Sequence, residues 1–155
     1  MSANLATTFL TLRPFLVVLW LHSDVDPTDL EWNTALGELA VRRRARHLSV
    51  DQLRQVVISD GGSPNAGQRK HSAAALDGLP SKLAVLTTVL LNPIKRGAAT
   101  AVSWLNPAVR FYYPTSLTEA LEYLEVGDHR ATIGHAFQEL QSQLPHVRAL
   151  ELAKF

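Results

Sequence analysis

The chain of 155 residues contains no cysteine. Disulfides, thiolate metal ligands and cysteine nucleophiles are therefore all excluded. The same absence fits a reducing compartment, and a cytoplasmic location is expected. Net charge is almost lacking too, at a formal +1. No strong global field steers such a chain to nucleic acid or to anionic lipid. Long hydrophobic runs are also missing. The uninterrupted stretch Phe15–Leu21 is seven residues, against the roughly 20 needed to span a bilayer. The wider segment from Met1 to Leu21 is broken by Arg13-Pro14, carries no early positive charge and lacks a small-x-small cleavage site. It reads as a buried strand, not as a targeting segment, and no stable membrane insertion is expected.

Familiar chemical motifs are absent as well. The six histidines, His22, His47, His71, His129, His135 and His146, have no metal-ligand spacing, so no metal site is assigned. There is no Gly-x-Ser-x-Gly elbow and no Gly-x-Gly-x-x-Gly. Gly62 and Gly67 have the spacing of the glycines in a phosphate-binding loop, but Gln68 and Arg69 stand where Lys and Ser/Thr would be needed. No catalytic residue and no cofactor are assigned on this basis.

What is present is regular alternation. Hydrophobic residues make up 46% and charged residues 19%, as in an ordinary globular domain. Phe15–Leu21 is apolar on both parities, which suits a central strand covered on both faces. Thr7–Leu12 alternates weakly and reads as an edge strand, joined to it by a turn at Arg13-Pro14. A helix follows, capped by Asp26 or Thr28, with Thr28-x-x-Glu31 as a capping box. Its core face is Trp32, Ala35, Leu36, Leu39 and Ala40, and it ends near Arg42-Arg43-Arg44. Gln55–Ser59 reads as a strand and Pro64–Leu76 as a helix capped by Ser63. Leu83–Thr88 is the next strand. Asn92 and Pro93 open a third helix, with Ile94, Ala98, Ala101, Val102 and Leu105 as its buried stripe. Val109–Tyr112 is a short strand. Ser116-x-x-Glu119 reads as a second capping box, before Leu117, Ala120, Leu121 and Leu124. A further helix over residues 128–143 presents Ile133, Phe137, Leu140 and Leu144.

Strand and helix thus alternate, which predicts an α/β domain: a mixed, largely parallel sheet of about four to five strands with flanking helices. Residues 1–126 form this domain. Residues 127–155 are a C-terminal helical extension packed on the domain or on a partner. The apolar end of the extension, Leu150–Phe155, is expected to dock on a neighbour. Trp104, Phe111, Tyr112 and Tyr113 gather near the last strand, as core residues or as a homo-oligomer contact. The basic run Arg42–His47 has no interleaved aromatic residues, so nucleic-acid binding gains no support.

The candidate site is the turn after the third strand, Asp60-Gly61-Gly62-Ser63, with Asn65 and Arg69 at the start of the next helix. Glycines bring backbone close to whatever lies above the sheet. Free N–H groups and the helix dipole favour an anion, whereas Asp60 opposes one or bonds the N–H groups of the turn. Asn92, Lys95 and Arg96 open the following helix. In a parallel sheet both helix starts share the carboxyl edge of the strands, where open α/β sheets place functional surfaces.

In order, the N-terminal strand pair, Val56-Val-Ile-Ser-Asp60-Gly-Gly-Ser63, Leu83–Thr88, Val109-Arg-Phe-Tyr112 and "SLTEALEYL" from Ser116 to Leu124 resemble a STAS domain, the fold of sulfate-transporter tails and anti-sigma-factor antagonists. The resemblance covers about residues 7–126. It implies a non-catalytic regulatory or scaffolding module that contacts a protein partner through the Asp60–Gln68 loop and the following helix. Regulatory members carry a phosphorylated serine in an Asp-Ser-Ser-Gly-like loop. Here glycines replace that serine, and Ser63, one place later, is the candidate phosphorylation residue. Some STAS-like proteins group with lipid carriers, so a small-ligand or lipid-binding domain is an alternative. An enzyme acting on an anionic substrate at Asp60, Ser63, Thr87 and Asn92 is a third.

Overall fold

The computed structural model describes residues 2–77, 81–97 and 106–155. The strands are β1 (Leu5–Leu12), β2 (Phe15–His22), β3 (Leu53–Ser59), β4 (Lys82–Thr87) and β5 (Val109–Tyr112). They lie in the order β1-β2-β3-β4-β5. β1 pairs antiparallel with β2, and the remaining pairs are parallel. The sheet is therefore mixed and largely parallel, as the alternation predicts. The named helices are α1 (Asp29–Ala45), α2 (Ala66–Ala75), α3 (Leu117–Tyr123), α4 (Arg130–Gln141) and α5 (Arg148–Ala153). Among the described residues, no helix is long and apolar enough to cross a membrane.

Strand β2 explains the layering. Val17, Leu19 and Leu21 point to one face and Leu16, Val18 and Trp20 to the other, and all six are buried. One face packs on α1 through Trp32, Ala35, Leu36 and Leu39. The other packs on α3, α4 and α5 through Leu117, Leu121, Ile133, Phe137, Leu140 and Leu150. Period-two side chains thus serve two cores from one strand. The extension contributes to the same core as the sheet. Its last residues turn inward, contrary to the expected docking on a neighbour: Leu150 and Ala153 are buried, and Phe155 packs against Phe137 with ring centroids 5.5 Å apart. A Cβ on Gly134 would lie 2.4 Å from Phe155 Cβ, so only glycine leaves room for that return.

The first of the two capping boxes holds. The Thr28 side chain accepts from Glu31 N while Glu31 accepts from Thr28 N, a complete capping box. Thr28→Ala is expected to cost about 1 kcal/mol, read as a lowered urea midpoint with unchanged slope.

Four local expectations fail. α2 is capped by Asn65, which forms a reciprocal box with Gln68; Ser63 lies outside the helix. Ser116 makes no capping bond, because Ser116 N–H donates to Tyr113 O and holds the residue at φ −95°, ψ 38° within a turn. Ile94 is 87% exposed and not part of a buried stripe. Residues 91–97 are all exposed, so this helical start stands at the rim of the sheet, past the core. Ala98, Ala101, Val102, Leu105 and Trp104 lie outside the described residues. β3 begins two residues before the expected Gln55, since Arg54 is an interior strand residue at 6% exposure. Its guanidinium donates to the carbonyls of Leu124, Asp51 and Leu53, pairs with Glu125 at 2.6 Å and covers the Phe15 ring. A cation so fully bonded can be buried.

Candidate functional site

The parallel strands β2, β3 and β4 end side by side, so their connections to the next helices meet at one edge. There Gly61 adopts φ +134°, a conformation that side chains rarely take. Gly62 serves a different purpose. A Cβ on it would lie 2.3 Å from Val25 O and 2.7 Å from Ser23 O. The close approach that the two-glycine turn permits is to the β2–α1 connection of the same chain. A Cβ on Gly61 would in turn rest 3.7 Å from Val89 Cγ2, so the turn sits between the connections that follow β2 and β4.

The turn offers no open cradle of donors between 61 and 65. Gly61 N–H donates to Ser59 Oγ at 3.0 Å, Gly62 N–H to Ser23 O at 2.9 Å and Ser63 N–H to Asp26 Oδ1 at 3.0 Å. Asn65 N–H donates to Gln68 Oε1 at 2.9 Å, and Pro64 has no N–H. The expectation of free N–H groups is thus corrected for residues 61–65, whose donors are taken by Ser59, by Ser23 and Asp26 of the β2–α1 connection, and by Gln68.

Asp60 does not bond the N–H groups of its own turn. Its Oδ2 accepts from Arg148 N at 2.6 Å, and its Oδ1 from Ala149 N at 2.8 Å and Thr88 Oγ1 at 3.3 Å. The carboxylate caps α5, where the helix dipole favours negative charge. Thr87 Oγ1 accepts from Val89 N. Asn92 caps the helical residues 93–97, accepting from Ile94 N and Lys95 N. Arg69 donates to Pro64 O, and Arg96 to the Tyr113 hydroxyl at 2.7 Å. Lys95 and Ser63 are exposed, and the Ser63 hydroxyl has no bonding partner among the described residues. The structure brings Asp60, Gly61, Gly62 and Ser63 together with the β2–α1 connection. Asn92, Lys95 and Arg96 share the edge on the next connection.

Sequence reasoning missed His22, at the end of β2. It is 2% exposed, its Nδ1 is buried without a partner, and its ring lies 6.2 Å from that of Trp32. Burial pushes its pKa down from 6.5 to about 4, against the opposing pull of Asp26 and Glu31. His22 is therefore neutral near pH 7. A histidine ending a strand that is otherwise wholly apolar was the available signal. Apolar side chains gather at the same edge: Val25 is 52% exposed and Leu91 51%, alongside Ile94.

The basic run lies at the opposite edge. Arg42 pairs with Glu38, and Arg43 with Asp77. Arg44 bonds Ala40 O, and Arg46 bonds Thr11 Oγ1. Arg43, Arg44, His47 and Asp77 line a depression between the ends of α1 and α2. No cluster of three or more metal-ligating side chains forms among the described residues.

No family model matches the chain, and no curated protein matches it. Among solved structures it is similar to an uncharacterized protein of the DUF3478 family with a SpoIIAA-like fold from Shewanella loihica PV-4. The TM-score is 0.52 at 12% sequence identity, over 79% of this chain and 94% of that one. The likeness establishes the fold, which is SpoIIAA-like and so of the STAS type that the order of elements resembles.

Proposed function

We propose that this SpoIIAA-like domain is a non-catalytic regulatory or scaffolding module that docks a protein partner on the carboxyl edge of its sheet. One observation carries the reading. The N–H groups of the turn and the Asp60 carboxylate are bonded within the chain, while Val25, Leu91 and Ile94 stay in solvent on the connections that meet at this edge, as do Arg69 and Lys95. Apolar side chains on connections that carry exposed charges of both signs, Asp24 and Asp26 as well as Arg69 and Lys95, suit a protein surface better than a small anion. The reading includes a cytoplasmic setting, in keeping with the cysteine-free sequence.

Ser63 is the natural point of control on this surface. A phosphate on its free hydroxyl would face Asp26, whose carboxylate holds the Ser63 N–H. Like charges would press the turn away from the β2–α1 connection.

The test is capture from native lysate with the wild type, with Val25→Glu/Ile94→Glu, and with Arg44→Glu at the far edge. Proteins held by the wild type are expected to be lost by the double variant and kept by Arg44→Glu. Equal recovery with all three, or no retained protein, would remove the proposal.

A further inference from the structure

The two outer strands of the sheet differ in kind. β5 is four residues long and carries Arg110, the short, charged form that protects an edge from pairing. β1 is eight residues, LATTFLTL, with no charge, proline or glycine. Thr7 to Leu10 are half-buried and Thr11 is exposed.

The register shows which backbone groups are open. Ser23 N–H donates to Asn4 O at 3.0 Å, one step beyond the pair Leu5↔His22. Antiparallel pairs alternate between bonded and non-bonded. The even residues of β1 therefore bond β2, and the N–H and C=O groups of Leu5, Thr7, Phe9 and Thr11 face outward. The Glu31 carboxylate sits against the N–H groups of Asn4 and Leu5. That leaves Thr7, Phe9 and Thr11 as the open positions.

We propose that β1 is the seam of a homodimer, in which two copies pair antiparallel about Phe9. This register sets Phe9 against Phe9 and Thr7 against Thr11, so each open residue meets an open residue. It also matches charge at its two ends, while at its centre the Arg42 guanidinium over each Phe9 ring is paired with Glu38 of its own chain. Leu5 comes opposite Arg13, so Glu31 of one copy faces Arg13 and Arg46 of the other. Among the described residues, neither Glu31 nor Arg46 has an ion-pair partner within its own chain. The occupant is a second copy because the seam complements itself in both backbone and charge. The seam is formed by β1 and the flank of α1, whereas the proposed docking edge lies at the carboxyl ends of the parallel strands.

The test is sedimentation of the full chain over a concentration series, with hydrogen exchange on the same samples. The wild type is expected to dimerise, with protection rising at the amides of Thr7, Phe9 and Thr11. Thr7→Pro/Thr11→Pro removes outward N–H groups, which an edge strand tolerates, together with the Thr11 hydroxyl that Arg46 bonds, and is expected to be monomeric. Arg46→Glu sets like charges against Glu31 and is expected to raise the dimer Kd at least about tenfold. A wild type that stays monomeric throughout overturns the proposal. So does a dimer in which these amides gain no protection, or one that Arg46→Glu leaves unchanged. The last two readings decide the matter if the double proline variant does not fold.

Discussion

Acidification from pH 7 to about pH 4 is expected to remove about 3 kcal/mol of folding stability through His22 alone. The folded-state pKa is about 4, against 6.5 for an ordinary histidine, because the ring is buried. Between those values the unfolded chain takes up a proton that the folded chain refuses. The contribution is intact above about pH 6.5 and is lost as the pH falls towards 4. Carboxylates titrate over part of the same range, so the readout is a difference. Urea unfolding of the wild type and of His22→Phe is compared at both pH values. Phe keeps a ring beside Trp32 and cannot take a proton. The wild type is expected to lose about 3 kcal/mol more than the variant; parallel losses would show that His22 is not held neutral.

That titration bears on the docking edge. His22 O accepts from Asp60 N–H, and the next residue, Ser23, accepts from Gly62 N–H. Charging the ring strains the strand end on which the two-glycine turn rests. The edge is therefore expected to loosen in acid before the far side of the sheet does.

Much of this arrangement was legible in the sequence, for a physical reason. Thr28 and Glu31 bond each other across three residues, and Val17, Leu19 and Leu21 alternate with Leu16, Val18 and Trp20 within one strand. Such patterns reveal themselves locally. Ser63 resembles a cap just as well, yet its N–H is claimed by Asp26, 37 residues earlier in the chain, and Asn65 takes the role instead. Arg54 hides the start of β3 because its compensation, Leu124 O and Glu125, lies far along the chain. Gly62 looks like a ligand glycine until Ser23 and Val25 are placed above it. In each case the deciding contact is long-range.

Asp60 is the sharpest such case, and its removal carries the second large effect. Asp60→Ala is expected to cost about 2–3 kcal/mol, since it deletes a charged helix cap and leaves two N–H donors of α5 unmatched. α5 has only six residues and cannot hold itself together alone. Its order depends on the cap and on burial of Ala149, Leu150 and Ala153. The loss should be uneven. Hydrogen exchange in Asp60→Ala should speed up across residues 149–153 while the β2 and β3 amides remain protected. The contact of Phe155 with Phe137 should weaken with it. Full protection of α5 in the variant would instead free the carboxylate from its structural duty and return Asp60 to the docking surface. An acidic residue in the loop that resembles a regulatory site would then be tethering the C-terminal helix only incidentally. The 2.6 and 2.8 Å bonds to Arg148 and Ala149 argue that tethering is its role.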